Sequence, residues 1–132
     1  MSTRRSRRVA VLAGVLLLAV VGAACSGDDG GTTYVEPKGP PVAELDFEAE
    51  NFSFSPKDLS APPGILDITV TSIEGAHDFA IEGQPGFLLE VSATGKTATG
   101  KIKLKPDTYT FYCLLPGHRA AGMEGTLTVE KA

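Results

Sequence analysis

Two histidines, one thiol and one thioether are the residues of this 132-residue chain best suited to chemistry. Apart from Met1 and Cys25, Met123 and Cys113 are the only residues of their types. Cys113, His118 and Met123 share the run Cys113-Leu-Leu-Pro-Gly-His118-Arg-Ala-Ala-Gly-Met123, and His77 lies 36 residues before Cys113. One thiolate, two imidazoles and a thioether suit copper cycling between two oxidation states. Trigonal His₂Cys with a long axial Met is the blue-copper arrangement. Zinc shares the Cys and His preference, but thioether is a poor zinc ligand. Singly, each residue has an ordinary explanation. A lone strand Cys is a small buried hydrophobe, a lone inward His is a hydrogen-bonded core residue, and a lone Met is filler. Jointly, with spacing and strand phase in agreement, they point to a site.

Period-2 alternation supplies the elements that would hold them. Leu45, Phe47 and Ala49 alternate with Glu44, Asp46, Glu48 and Glu50, and Leu66, Ile68 and Val70 alternate with Asp67, Thr69 and Thr71. His77, Phe79 and Ile81 share one face, as do Ile102 and Leu104, then Tyr109, Phe111 and Cys113, and last Leu127 and Val129. Pro62-Pro63-Gly64, Glu74-Gly75, Thr94-Gly95 and Lys105-Pro106-Asp107 punctuate these runs as turns. No useful helical period and no internal repeat occurs. The expected fold is all-β: a Greek-key β-sandwich of about seven to eight strands over residues 42–132, a size normal for two packed sheets. Cys113 then points inward from a strand end and His77 inward from a strand start. Pro116-Gly117 returns the chain so that His118 and Met123 reach the same pole. The acidic outer face of the first strand and the Lys101/Lys103/Lys105 stripe read as solvated sheet surface, and such charges discourage edge-to-edge pairing. Tyr109 is placed to act as a corner tyrosine.

The motif Tyr109-x-Phe111-Tyr112-Cys113-x₄-His118-x₄-Met123 resembles that of the cupredoxins, the plastocyanin/azurin family. Asn51-Phe-Ser-Phe-Ser-Pro56 followed by Ala61-Pro-Pro-Gly64 is similar to the opening of small bacterial members. The resemblance covers the globular domain. It implies one type 1 copper, with His77, Cys113 and His118 as strong ligands and Met123 as the weak axial one. The family often has Asn or Ser after the first histidine, where it braces the ligand loop; here it is Asp78. Its carboxylate is expected to accept an N–H from residues just after Cys113, and its charge to favour Cu(II). Glu124 adds a second acid beside Met123.

The resemblance also implies that the outer edge of His118 is an electron port within an apolar docking patch of Leu115, Pro116, Gly117, Ala120 and Ala121. Alternatively, these residues only make the turn. The function so implied is a monomeric electron carrier between transient redox partners, a donor and an acceptor. The competing class is a protein that buffers or delivers copper outside the cytoplasm, although the Met- or His-rich tracts common in delivery proteins are absent. An enzyme is disfavoured. Cys113 lacks the His-Cys-His flanking of multicopper oxidases, the loop has no second cysteine, and saturated ligation leaves no open position for substrate.

The remaining chain reads as attachments. Arg4, Arg5, Arg7 and Arg8 precede an apolar run from Val9 to Ala24, about 24 Å as a helix and short of the roughly 30 Å hydrocarbon layer. Residues 1–24 are therefore expected to be an export signal, with an uncleaved anchor as the other reading. Gly22-Ala-Ala-Cys25 resembles a bacterial lipobox, which makes Cys25 a lipidation site and membrane anchor; ordinary cleavage after Ala24 is the alternative. Arg7-Arg8 does not fix the export route. Residues 25–41, rich in Gly, Thr and Pro, read as a flexible tether spanning very roughly 20–25 Å. A Cys25–Cys113 disulfide would tie that tether to the core and is not expected. The predicted location is the membrane, facing the periplasm or the extracellular side. All 16 acids but only 8 of the 12 bases follow residue 24, a net charge near −8, which argues against a nucleic-acid partner.

Overall fold

The computed structural model describes residues 33–132; the leader, Cys25 and the tether up to residue 32 lie outside the described residues. Nine strands follow in chain order: β1 Ala43–Glu50, β2 Ser53–Ser55, β3 Asp58–Ala61, β4 Gly64–Ser72, β5 His77–Ile81, β6 Leu88–Val91, β7 Thr97–Leu104, β8 Asp107–Tyr112 and β9 Glu124–Val129. They form two sheets, ordered β2-β1-β4-β7 and β3-β9-β8-β5-β6. β1 runs parallel to β4 and β3 parallel to β9; the other pairs are antiparallel. After the β5–β6 hairpin, β7 crosses to the other sheet and β8 returns beside β5, which is Greek-key behaviour. No helix among the described residues is long and apolar enough to cross a membrane.

The count exceeds the expected seven to eight because β2, β3 and β6 are three or four residues long. That is too short to display a period. β2 and β3 arise where the chain changes sheets, with Phe54 opposite Ala49 and Leu59 opposite Leu127.

The inward faces are those that alternation gives. Leu45, Phe47 and Ala49 of β1, Leu66, Ile68 and Val70 of β4, and Phe79, Ile81 and Phe111 of β5 and β8 are all buried. Four phenylalanines knit the sheets together. Phe47 lies 4.8 Å from Phe79 and 4.9 Å from Phe111, Phe79 stacks on Phe111 at 5.2 Å, and Phe54 meets both Phe79 and Phe111 edge-on. Burying each ring contributes about 1.5–3 kcal/mol, so this cluster is a large part of what holds a small sandwich together. The Tyr109 hydroxyl donates to the carbonyl of Lys105 at 2.8 Å, tying down the β7–β8 corner.

One aromatic in the stretch read as tether joins the body. Tyr34 meets Phe87 edge-on, with centroids 5.3 Å apart, and its hydroxyl donates to the carbonyl of Lys101 in β7. Lys101 Nζ in turn donates to Gly39 O at 3.4 Å, and Val42 N–H to Ile65 O at 2.7 Å. These contacts lay residues 34–42 beside β7 and the start of β4. Tyr34→Ala, which removes the ring contact and the hydrogen bond, is expected to cost about 2 kcal/mol. A lowered urea midpoint at unchanged m-value checks this; an unmoved midpoint would mean the segment adds nothing to the fold.

Candidate metal centre

One pole of the sandwich gathers the sulfur and imidazole donors. His77 opens β5, with 1% of its surface exposed. Cys113 directly follows β8, and it is equally buried at 1%. His118 and Met123 lie on the loop between β8 and β9; His118 is half-buried and Met123 fully buried in the core cluster that holds Cys113. One donor atom from each of His77, Cys113 and His118 falls within 4.8 Å of the others.

Backbone hydrogen bonds run through the loop and shape it. Cys113 N–H donates to Met123 O at 3.1 Å, and Met123 N–H donates to His118 O at 3.0 Å, so three of the chemical residues are linked through their own main chain. Ala121 N–H to Gly117 O and Gly122 N–H to Arg119 O close the turns between them. Gly117 sits at φ +81°, a left-handed conformation that glycine adopts without the Cβ cost.

The imidazole orientations follow from local partners. The Nε2 of His77 lies 2.6 Å from Glu74 O, where it can only donate, because a carbonyl is an acceptor. Ser72 Oγ donates to Gly75 O and Gly75 N–H donates to Thr94 Oγ1 at 2.9 Å, which steadies the loop carrying that carbonyl. In this tautomer Nδ1 carries a lone pair, and Nδ1 is buried with no hydrogen-bond partner. His118 Nδ1 lies 3.5 Å from Cys113 Sγ, a separation that suits two donors sharing one ion at bond lengths of about 2.0 and 2.3 Å. The sulfur also accepts the backbone N–H of Asp78 at 3.3 Å. A buried orphan nitrogen, a facing thiol and a second imidazole nitrogen fit a soft-ligand copper site. An outer-shell carbonyl holding the far nitrogen of His77 is how such ligands are usually oriented.

The hydrogen bond that Asp78 makes to the Cys113 segment comes from its amide, not its carboxylate, which lies opposite Glu90 on the neighbouring strand. Burial, and then Glu90, push its carboxyl above the usual carboxylate range, while both imidazoles pull the other way. Glu124 turns away from the donors to hydrogen-bond Arg119 Nε at 2.8 Å. Sequence reasoning passed over Phe52, whose ring stands edge-on to His118 at 4.9 Å, and the Glu74 carbonyl. Phe52 lies in the turn between β1 and β2, outside the alternation of either strand, and a backbone acceptor carries no residue signal. Leu115 is half-buried, whereas Pro116, Gly117, Ala120 and Ala121 are exposed beside His118 on the loop.

This is the architecture of a copper-binding sandwich with its donors at one end. Residues 42–130 match the family described as copper binding proteins, plastocyanin/azurin family, and the chain belongs to that family. Its cofactor is accordingly copper of the type 1 kind, and it is an electron-transfer protein rather than an enzyme. Among solved structures, dithionite-reduced auracyanin from the photosynthetic bacterium Roseiflexus castenholzii aligns with a TM-score of 0.60 at 20% identity, covering 70% of this chain and 100% of that one. Auracyanin B aligns with a TM-score of 0.60 at 19% identity, covering 76% and 96%. At these identities the likeness speaks for the fold. No curated protein matches the chain.

Proposed function

We propose that the chain is a blue-copper electron carrier, tethered through a lipid on Cys25 to the outer side of the cytoplasmic membrane. It passes single electrons between exported or membrane-bound redox proteins. His77, Cys113 and His118 are the strong ligands and Met123 the axial one. The observation that carries this reading is the buried Nδ1 of His77, left free while Nε2 is held by Glu74, with two further donors within 4.8 Å.

Copper, when bound, supplies a one-electron couple. The chain's part is to hold the donors still: the loop's hydrogen bonds fix three of them, and the Glu74 carbonyl fixes the fourth. Nδ1 of His118 is turned to the sulfur, its ring meets the exposed Phe52 edge-on, and Leu114 and Pro116 are exposed on the same loop. A small, quickly released interface with a redox partner suits that patch.

Reversible redox cycling of the copper-loaded protein, with slow copper loss to a chelator, is the expected result. Rapid surrender of copper without stable cycling would instead identify a copper-delivery protein. Ala120→Glu sets a charge in the patch and is expected to slow electron transfer to a partner by about tenfold or more, with the visible band unchanged. Loss of the band would make the patch structural.

A further inference from the structure

Arg119 stands between His118 and Met123 on the ligand loop, and its guanidinium reaches β8, β9 and the residue that follows β5 in the β3-β9-β8-β5-β6 sheet. It lies over the Tyr112 ring, 4.2 Å from the centroid. Its Nε donates to Glu124 Oε2 at 2.8 Å, and its terminal nitrogen approaches Glu82 Oε2 at 3.5 Å. Tyr112 is the last residue of β8, Glu124 the first of β9, and Glu82 follows β5.

The sequence neighbourhood of these contacts is what gives them meaning. Tyr112 immediately precedes Cys113, Glu124 immediately follows Met123, and Arg119 itself follows His118. One planar group, carried next to His118, thus touches the residues next to Cys113 and Met123. We propose that Arg119 is a positioning residue: it clamps the ligand loop to the sheet, and thereby holds His118 and Met123 in fixed relation to Cys113. The proposal rests on the copper reading above for its purpose, but the contacts that make the clamp involve none of the four donor side chains.

The contact set calls for arginine in particular. Stacking on an aromatic face while donating in the plane of the ring's neighbour needs a flat, delocalised cation with several N–H groups. A lysine ammonium is a point charge and cannot do both. The carboxylates also hold the guanidinium in its charged form: the hydrogen bond to Glu124, first of all, raises its already high pKa. Each contact alone is weak because the groups are partly exposed, with about 40% of the Arg119 side chain open. The restraint comes from three of them meeting on one group.

Two variants test this. In Arg119→Gln the charge is lost; in Arg119→Lys the charge stays and the fork is lost. In the metal-free protein, hydrogen exchange at the amides of Ala121, Gly122 and Met123 is expected to quicken about tenfold in both, with the β1 and β4 amides unchanged. In the copper-loaded protein, release to a chelator is expected to quicken by a similar factor. The visible band should shift in Arg119→Lys even though its charge is kept. Tyr112→Leu should reproduce the exchange effect. Unaltered loop exchange in both Arg119 variants would overturn the clamp, whether or not copper binds. A lysine variant matching the parent in every readout would overturn it too, leaving only an effect of charge. Failure of every form of the protein to turn blue would sink the copper reading and leave the exchange result standing on its own.

Discussion

Replacing Cys113 by serine is expected to erase the intense visible band of the copper-loaded protein and to weaken copper binding by more than about 100-fold. The band arises from charge transfer between thiolate sulfur and copper, and a hydroxyl is neither deprotonated nor soft at neutral pH. The affinity figure is a lower bound, because removing even an outer-shell partner of a metal ligand costs about 10–100-fold. The fold itself should persist. Cys113 is 1% exposed and follows a strand held by the β8–β9 ladder, and the new hydroxyl can still accept the Asp78 N–H that now reaches sulfur. Circular dichroism of the metal-free variant, matching the parent, separates loss of the ligand from loss of the domain. A Cys113→Ser protein that kept the parent's colour would rule out the thiolate as a ligand, and with it the electron-carrier reading.

Much of this was legible in the residues because one periodicity serves both the core and the donors. Strand alternation puts Phe47, Ile68, Phe79 and Phe111 inward, and the same parity puts His77 and Cys113 inward at matching strand ends. The phase that builds the core therefore also aims the donors. What could not be read are contacts that depend on the meeting of distant segments. Arg119 and Glu82 are 37 residues apart, and nothing local pairs them. Tyr34 is a single aromatic in a Gly-, Thr- and Pro-rich stretch, and only the neighbourhood of Phe87 and Lys101 gives it a role. The free nitrogen of His77 depends on a main-chain carbonyl. Asp78 shows the converse hazard: the position next to the ligand does matter, through an amide that any residue but proline would supply, while its carboxylate faces Glu90.

The largest stability effect is expected at Gly125. It pairs with Phe111 in the β8–β9 ladder, and Thr126 N–H, beside it, donates to Lys57 O at 2.8 Å as the chain passes from β2 into β3. A Cβ at Gly125 would overlap both the Lys57 carbonyl oxygen and the Phe111 ring, inside the 3.0 Å that real Cβ atoms respect. One obstacle is backbone and the other is the central ring of the four-phenylalanine core, so neither can simply rotate away. Overpacking of this kind costs about 1–3 kcal/mol, and a backbone clash sets Gly125→Ala at the upper end, about 3 kcal/mol. That is a large share of the roughly 5–15 kcal/mol that holds a small domain folded. Gly83→Ala is the informative control. Gly83 sits at φ +77° with nothing within 4 Å of its would-be Cβ, so its cost is backbone strain alone, about 1 kcal/mol. Urea unfolding of the two metal-free variants should therefore rank them by packing, with Gly125→Ala far lower in midpoint. The folded fraction of Gly125→Ala should still take up copper with the parent's spectrum, because the hydrogen bonds among Cys113, His118 and Met123 lie within the loop itself. A stability loss under about 1 kcal/mol would mean that β3 and β9 can separate there at little cost. The close approach at Gly125 would then not be what seats the β2–β3 connection against the β8–β9 pair.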